Sequence, residues 1–127
     1  MGGHRWRRCQ PLMRRGEICM VDLDPVRGAE ASKRRPAVIV SNDGANITAT
    51  RLGRGVVTVV PVTSNVERIY PFQVLLDVAS TGLQRDTKAQ AEQVRSVAVE
   101  RVGTRVAMVP PSVMTQVDDA LRLHLSL

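Results

Sequence analysis

The sequence predicts an α+β domain built as a small antiparallel β-barrel with one α-helix at its carboxyl end. Between Met13 and Val109, short runs rich in Val, Ile and Leu alternate with clusters of Gly, Pro, Asn and Asp, which is typical of short strands joined by turns. After Pro110 and Pro111 the apolar residues recur at helical spacing instead. The 127 residues are enough for one domain with one hydrophobic core.

Five or six short strands are expected, each an apolar run bounded by turn residues. The run at 56–62 is β-branched almost throughout, and Pro61 within it indicates an edge strand or a bulge, because proline cannot donate a ladder hydrogen bond. The run at 88–97 is less strand-like in composition, since Ala, Gln and Glu are weak strand formers. The predicted strands are Gly16–Leu23, Pro36–Ser41, Val56–Val62, Phe72–Val78, Lys88–Val97 and Thr104–Val109.

Two polar loops and the terminal helix complete the expected fold. Arg27–Arg34 is a basic loop, and Asn42–Gly55 is predicted as a long polar loop because Asn, Asp and Gly recur in it. In the last segment, Ser112 is a suitable residue to cap the start of a helix of about three to four turns. The predicted apolar stripe of this helix consists of Val113, Val117, Ala120, Leu121 and His124.

Residues 1–12 differ from the rest of the chain. The segment MGGHRWRRCQPL is basic and without periodicity, and it lacks the roughly 7–15-residue apolar stretch of a signal peptide. Met13 then opens MRRGEICMVDL, which is typical of the start of a domain. We therefore expect residues 1–12 to be a disordered or upstream extension and residues 13–127 to form the functional domain.

The charge of the chain indicates an anionic partner. Eighteen Lys and Arg residues against 12 acidic residues give a net charge of +6, and only Lys33 and Lys88 among the basic residues are lysines. Arginine binds phosphate in a planar, bidentate way and stacks on bases, so the composition favours nucleic acid. Surface solubility is the alternative explanation of the same charge.

The sequence gives little support for a metalloprotein or an integral membrane protein. Cys9 and Cys19 are expected to be reduced thiols of a cytoplasmic protein, and they form no CxxC pair. With His4 and His124 as the only histidines, the chain lacks the ligand set of a zinc site. No apolar run approaches the roughly 18–20 residues that span a bilayer.

Arg35 lies where a basic cluster meets a buried strand. It follows Lys33 and Arg34 and precedes Pro36, which pushes the preceding residue into an extended conformation and so fixes the direction of the arginine. Rigid placement of this kind suits catalysis. A charge cluster that protects a strand edge from aggregation has the same pattern, so both interpretations stand on these residues alone.

Two hydroxyls and a carboxylate are further candidates for chemistry. Thr63 and Ser64 follow a predicted strand and can donate hydrogen bonds to a phosphate oxygen, although Thr-Ser-Asn also simply ends strands. Glu30 lies five residues before Arg35 on the same loop. It can orient the guanidinium, take a proton or serve only as a solvated surface group.

The polar run at 92–96 could line a groove with one of its faces. Strand alternation would place Gln93 and Arg95 on one face and Glu92 and Ser96 on the other. The chain has no Ser-His-Asp set, P-loop, GxGxxG or HExxH motif. A nuclease made from these residues would work without histidine and without a carboxylate cluster for Mg²⁺. RNA permits this, because its own 2′-OH can attack the adjacent phosphate.

The order and spacing of these motifs closely resemble the MazF/PemK/Kid family of toxin endoribonucleases. The resemblance runs from about Arg14 to Leu127 and rests on RRGEICMVDLDPVRGAE, RRPAVIVSND, VVPVTSN, YPFQVLL and AEQVRSV. It implies an SH3-like barrel with a C-terminal helix, acting as a homodimer without a cofactor. It also implies sequence-specific, metal-independent cleavage of single-stranded mRNA, tRNA or rRNA, with 2′,3′-cyclic phosphate and 5′-OH ends and inhibition of translation and growth.

The resemblance assigns roles to the site residues. The catalytic arginine of the R-P motif falls on Arg35, and the hydroxyl residue of the T-[TS] motif falls on Thr63 with Ser64 beside it. The glutamate of the G-S-E motif falls on Glu30, and one branch of the family has an acid–base aspartate where Glu92 lies. The general base is therefore open between these two glutamates. The residues expected to bind RNA are Arg27, Arg34, Ser64, Asn65, Arg68 and Gln93.

The resemblance also implies a cognate antitoxin, whose acidic, disordered tail lies along the RNA groove. Two other functions are alternatives. A barrel of this kind could bind RNA or protein without cutting it, and the presence of both Arg35 and Thr63 argues against that. A gyrase-poisoning relative of the same fold lacks this pair and typically ends in aromatic residues, whereas this chain ends in LRLHLSL.

Overall fold

A computed structural model of the protein describes residues 13–24 and 33–127. Strands and helices alternate along the described chain, and two single 3₁₀ turns, Ala91–Gln93 and Val99–Arg101, flank one of the strands. The elements are β1 (Glu17–Asp24), β2 (Lys33–Ile39), α1 (Asp43–Leu52), β3 (Val56–Thr63), β4 (Gln73–Leu76), α2 (Val78–Thr81), β5 (Thr87–Gln90), β6 (Arg95–Ala98), β7 (Val102–Met108) and α3 (Pro111–Leu125).

The strands form one antiparallel sheet in the order β4-β5-β3-β2-β1-β7, and β6 pairs with β3 beside this path. The predicted α+β class, the antiparallel pairing and the C-terminal helix are confirmed. Closure into a barrel is not, because the end strands β4 and β7 do not pair within the described part of the chain. β4 is only four residues long, and it packs against α3 instead. Closing a barrel needs end strands long enough to pair in a staggered register.

Strand β3 lies between two hydrophobic clusters. Val57 and Val59 point into a cluster shared with β1, β2, β6, β7 and Ala49 of α1. Val60 and Val62 point into a second cluster, which α3 covers. Neighbouring side chains of a strand point to opposite faces, so a strand buried on both faces reads as a continuous apolar run, as β3 does.

Pro61 occupies a position in β3 where its missing N–H costs nothing. The Thr58 carbonyl accepts from the Val40 amide of the β2 side at 2.9 Å. Because these directions alternate along a strand, the backbone of Pro61 points to the opposite side. There the pairing with β6 ends at Val59 and the pairing with β5 begins at Val62. The expected edge strand or bulge is therefore wrong: β3 is interior, and Pro61 faces the gap between two partners.

The predicted loop Asn42–Gly55 contains helix α1. The Asn42 side chain caps the helix by accepting from the Ala45 amide at 2.8 Å. Gly53 ends it in a left-handed conformation with φ of 68°, which glycine adopts without a steric penalty. Asn46 is fully buried and donates to the Ser41 carbonyl at 2.9 Å, so a polar residue holds the helix to the sheet. The same Asn and Gly residues that predicted a loop are the start and stop signals of a helix.

The predicted strand Lys88–Val97 is two strands. β5 pairs with β4 and the end of β3, whereas β6 pairs with the beginning of β3. The 3₁₀ turn Ala91–Gln93 separates them. The expected alternation of side chains across 92–96 is therefore wrong, because the turn resets the direction of the strand.

Helix α3 begins at Pro111, one residue before the predicted cap Ser112 is reached, and Pro110 occupies the N-cap position. Met114, Val117 and Ala120 are its buried residues, so the apolar stripe is close to the prediction, but His124 is exposed. No helix in the described segments is long and apolar enough to cross a membrane.

Arg15 ties α3 to the sheet. Its Nε donates to the Val40 carbonyl at 2.8 Å, and its guanidinium pairs with Asp118 of α3 at 2.5 Å. The backbone amide of Arg15 donates to Asp43 of α1 at 2.7 Å. One residue thus joins α1 and α3 to the backbone that directly follows β2.

Candidate functional site

A cleft of about 710 Å³ opens where the middle of β2 and the end of β3 meet the segment between α2 and β5. This volume lies within the roughly 300–1,000 Å³ that ligand pockets typically occupy. One wall carries polar and charged side chains, and Met20, Val62 and Val106 supply apolar surface. The lining residues are Met20, Arg35, Pro36, Val62, Thr63, Ser64, Gly82, Leu83, Gln84, Arg85, Thr87 and Val106.

Arg35 lines this cleft from the middle of β2. Pro36 follows it inside the strand, as the extended conformation of a residue before proline requires. The register pairs Ala37 with Pro61, so two residues further along the antiparallel strands Arg35 and Thr63 fall opposite each other on the same face. The sheet itself therefore brings these two predicted catalytic residues together.

Thr63 ends β3 with a hydroxyl that has a hydrogen left to donate. Its Oγ1 accepts a hydrogen bond from the Asn65 amide at 3.3 Å, which turns the chain away from the strand. A threonine hydroxyl can accept and donate at the same time, so the proton is available to an anion in the cleft. Ser64, the next residue, is exposed and lines the same cleft.

The facing wall is formed by residues 82–85, which the sequence analysis did not single out. Gly82 ends the short helix α2 with φ of 78°, and the chain then runs past Leu83, Gln84 and Arg85 into β5. Leu83 packs on the apolar cluster under α3. The signal that could have found this wall is the Asp-x-x-Ser cap followed by Gly82, which marks a tight helical turn before a strand.

Two aspartates hold the wall in place. The Asp77 carboxylate caps α2 by accepting from the Ser80 amide at 2.9 Å, and Asp86 accepts from the Val78 amide at 2.9 Å. Hydrogen bonds from the side chain and then the backbone of Ser80 lower the pKa of Asp77 below its ordinary value of 3.8. Hydrogen bonds to the backbone of α2 therefore flank the wall, from Asp77 before it and from Asp86 directly after it.

Glu92 lies outside the lining of the cleft. One of its carboxylate oxygens accepts from the Gln73 side chain at 2.8 Å, and Gln73 in turn accepts from the Tyr70 amide at 3.1 Å. Lys88, opposite Thr63 in the β3–β5 pairing, donates to the Arg68 carbonyl at 2.6 Å. These contacts anchor the loop that follows Thr63.

The other predicted RNA-binding residues that the structure describes do not line the cleft. Arg34 lines a smaller pocket beside Asp22, and Arg68 lies over the ring of Tyr70 at 5.7 Å. Asn65 and Gln93 are exposed. Glu30 and Arg27, together with residues 1–12, lie outside the described residues.

The cleft is electropositive. Neither the Arg35 nor the Arg85 side chain makes a hydrogen bond or an ion pair with any residue of 13–24 or 33–127. Both guanidiniums therefore keep their donors for a ligand, and the hydroxyls of Thr63 and Ser64 lie in the same cleft. Within the described ranges, no three His, Cys, Asp or Glu side chains gather as a metal site would require. Cationic forks and hydroxyl donors suit a phosphate group.

Comparison with known proteins identifies the family. A model described as "PemK-like, MazF-like toxin of type II toxin-antitoxin system" matches residues 14–125. This chain belongs to that family. It is 64% identical over 116 residues to endoribonuclease MazF9 of Mycobacterium tuberculosis, which covers 91% of this chain and 98% of the relative. Endoribonuclease EndoA of Bacillus subtilis is 28% identical over 118 residues.

Solved structures of the PemK/MazF family share the fold. A chain of the MazE–MazF crystal structure from Deinococcus radiodurans matches with a TM-score of 0.72 at 26% identity, covering 91% of this chain and 97% of that chain. The family resemblance seen in the sequence is thus confirmed over residues 14–125.

Proposed function

We propose that this PemK/MazF family toxin is a sequence-specific endoribonuclease that cuts single-stranded RNA in the cleft of Arg35 and Thr63 without a metal ion. The observation that carries the proposal is the meeting of Arg35, Thr63 and Ser64 in one cleft that holds no competing ion pair for the arginine among the described residues. The endoribonuclease relative that is 64% identical across the domain supports the same activity.

The reaction uses the nucleophile of the RNA itself. The 2′-oxygen forms a bond to the adjacent phosphorus while its proton passes to a base. The bond from phosphorus to the 5′-oxygen breaks, its electron pair stays on that oxygen, and the oxygen takes up a proton. The products are a 2′,3′-cyclic phosphate and a 5′-OH. Arg35 stabilises the charge that builds on the non-bridging oxygens, and Thr63 donates a hydrogen bond to one of them.

Glu30 is the base that we favour. Arg35 is a poor proton acceptor, since a guanidinium stays protonated in proteins. Glu92 accepts from Gln73 with one carboxylate oxygen and does not line the cleft, which suits a role in anchoring the loop after Thr63. A Glu30→Gln variant should lose the acidic limb of the pH–rate profile, whereas Glu92→Gln should keep it. A lost acidic limb in the Glu92→Gln variant alone would reverse the assignment.

The partners follow from the same site. Single-stranded RNA is the proposed substrate, because only unstacked bases can be read beside a scissile phosphate. A cognate antitoxin with an acidic tail suits the electropositive cleft, and solved relatives include a MazE–MazF assembly. We also propose a cytoplasmic homodimer whose toxin domain comprises residues 13–127. Met13, fully buried, supports that boundary.

Purified protein and a mixed RNA pool test the activity. Cleavage should persist in EDTA, and mapping of the 5′ ends should reveal one short target sequence. An oligonucleotide with a single 2′-deoxy nucleotide at the cut site should bind but resist cleavage. Cleavage of that oligonucleotide would exclude the 2′-OH mechanism. Tight RNA binding with no cleavage of any RNA would instead indicate a non-catalytic binding module.

A further inference from the structure

We infer that Arg85 forms a second phosphate site, which binds the RNA phosphate next to the one that is cut. The inference rests on the proposed function and adds a residue to it that neither the motifs nor the family resemblance pointed out. The ligand is one phosphodiester of a single strand, and the recognising group is a guanidinium without a partner among the described residues.

The location of Arg85 follows from the β3–β5 pairing. Thr63 lies opposite Lys88, and Arg85 precedes Lys88 by three residues. Three residues of extended chain span at most about 10 Å. The side chain of Arg85 is thus within reach of an RNA strand that passes Thr63. It lines the same cleft as Arg35, from the wall formed by residues 82–85. A strand lying in the cleft would have one arginine on each side.

The wall that carries Arg85 is held rigidly. Leu83 packs into the apolar cluster under α3, and Asp86 accepts the Val78 amide at 2.9 Å. Asp77 caps α2 at the other end of the same segment. Rigid placement matters because a mobile arginine loses side-chain entropy on binding, whereas a fixed backbone reduces that cost.

The charges around Arg85 favour an anion. The nearest acidic side chain in sequence, Asp86, is occupied by a backbone amide instead of the guanidinium. Among residues 13–24 and 33–127, no acidic side chain lines the cleft, and the polar groups there are two arginines, Gln84 and the hydroxyls of Thr63, Ser64 and Thr87. Arg35 accounts for one phosphate. Arg85 is available for the next.

The test removes, in turn, the negative charge of the RNA phosphate and the positive charge of Arg85. Short RNA carrying the mapped target receives one uncharged methylphosphonate at the linkage on either side of the cut. The nucleotide before that linkage is 2′-O-methylated to prevent self-cleavage, and the matched control RNA has the same 2′-O-methyl group with an ordinary phosphate. Each RNA is cut by the unmodified chain, Arg85→Ala and Arg85→Lys, with Arg122→Ala as the control for charge.

Neutralising one of the two linkages should lower kcat/KM of the unmodified chain about tenfold, as loss of a charge-assisted hydrogen bond does. Arg85→Ala should lose a similar factor with ordinary RNA and should be insensitive to the same methylphosphonate. Arg85→Lys should keep part of the activity, and Arg122→Ala should behave as the unmodified chain. Full sensitivity of Arg85→Ala to both methylphosphonates would overturn the site.

Binding of the non-cleavable 2′-deoxy RNA separates this inference from the proposed function. If the protein binds this RNA but cuts no ordinary RNA, the endoribonuclease proposal fails. The dissociation constants of the unmodified chain and of Arg85→Ala for the 2′-deoxy RNA then still decide the Arg85 contact. The slope of log K against log salt should fall by about 0.7 in Arg85→Ala, which is the loss of one phosphate contact on a single strand. An unchanged slope, with weakened binding of an acidic peptide only, would assign Arg85 to a protein partner and contradict the inference.

Discussion

The Arg35 side chain is exposed, while its backbone is fixed within β2. Its substitution should therefore affect catalysis strongly and the free energy of unfolding only slightly. Arg35→Ala should lower kcat about 100- to 1,000-fold, the usual cost of removing a group that stabilises charge in a transition state. The free energy of unfolding should change by less than about 0.5 kcal/mol, because the side chain is exposed. Single-turnover cleavage and urea denaturation measure the two quantities.

Arg122→Ala is the matched control for Arg35→Ala, since Arg122 is an exposed arginine of α3 that pairs only with the adjacent turn of its own helix. It should cut RNA at the unmodified rate. Near-normal cleavage by Arg35→Ala, or an equal loss in both variants, would contradict the assigned role.

Thr63 is tested by a change that removes its hydroxyl and keeps its shape. Thr63→Val should lower kcat about 10- to 100-fold, the range expected for one hydrogen bond to a charged group. Thr63→Ser should retain most of the activity. A change in KM alone would mean that the hydroxyl binds RNA equally in the ground state and in the transition state.

The residues of the candidate site were predictable to different degrees. The strand positions of Arg35 and Thr63 made them candidates, but each pattern also fitted a purely structural role, and only the family resemblance favoured a catalytic one. Arg85 was not a candidate, since nothing in its neighbours reveals that the β3–β5 register brings it to the same cleft. Alternation along a single strand predicts the direction of the Glu92 side chain wrongly, because Glu92 lies in a 3₁₀ turn. That turn forms because β5 and β6 both pair with β3, which local sequence does not reveal.

Among the elements, α1 shows most clearly where prediction of secondary structure from local sequence fails. Its composition is that of a loop, yet Asn42 and Gly53 are a helix start and a helix stop. The segment folds as a helix because packing on the sheet buries Asn46 and Ala49 on one helical face. The long β-branched run of β3 needed no such context, because burial on both faces leaves the same pattern whatever surrounds the strand.

The wall formed by residues 82–85 depends on the cap of α2, and this dependence gives it a pH response. The pKa of Asp77 is lower in the folded protein than its ordinary value of 3.8. The stabilisation by this carboxylate is therefore complete above the ordinary value and is lost as pH falls through the lowered one. An NMR titration of the Asp77 carboxyl carbon should give a midpoint below that of an unstructured peptide.

Two substitutions separate the cap of α2 from its charge. Asp77→Asn should keep the cap, because Asn is as good an N-cap residue as Asp, and should remove only the titration. Asp77→Ala should weaken the wall and lower RNA affinity. Equal RNA affinity of Asp77→Ala and the unmodified chain would show that the wall does not need its cap.

At the scale of the whole molecule, the contact between Arg15 and Asp118 joins the sheet to its covering helix. Both side chains are about one third exposed, at 33% and 28%. Asp118→Ala should therefore lower the free energy of unfolding by only about 0.5–1 kcal/mol, in the upper range of exposed pairs. The neighbouring Asp119, 67% exposed, pairs within its own helix and serves as the control. Asp119→Ala should have a smaller effect in the same urea denaturation series, and an equal effect would contradict the role of Arg15.

The position of β3 between two hydrophobic clusters has a consequence for the timescale of motion at the cleft. Thr63 ends a strand whose side chains belong to both clusters, so this strand cannot detach without exposing both. The amide protons of Val59, Val60 and Val62 should then exchange with solvent deuterium only when the whole chain unfolds. The amides of 82–85, by contrast, should exchange by brief local openings. The hydroxyl proposed to contact the scissile phosphate would thus be carried by the slowest-exchanging part of the protein, and its position would persist through many cycles of RNA binding and release.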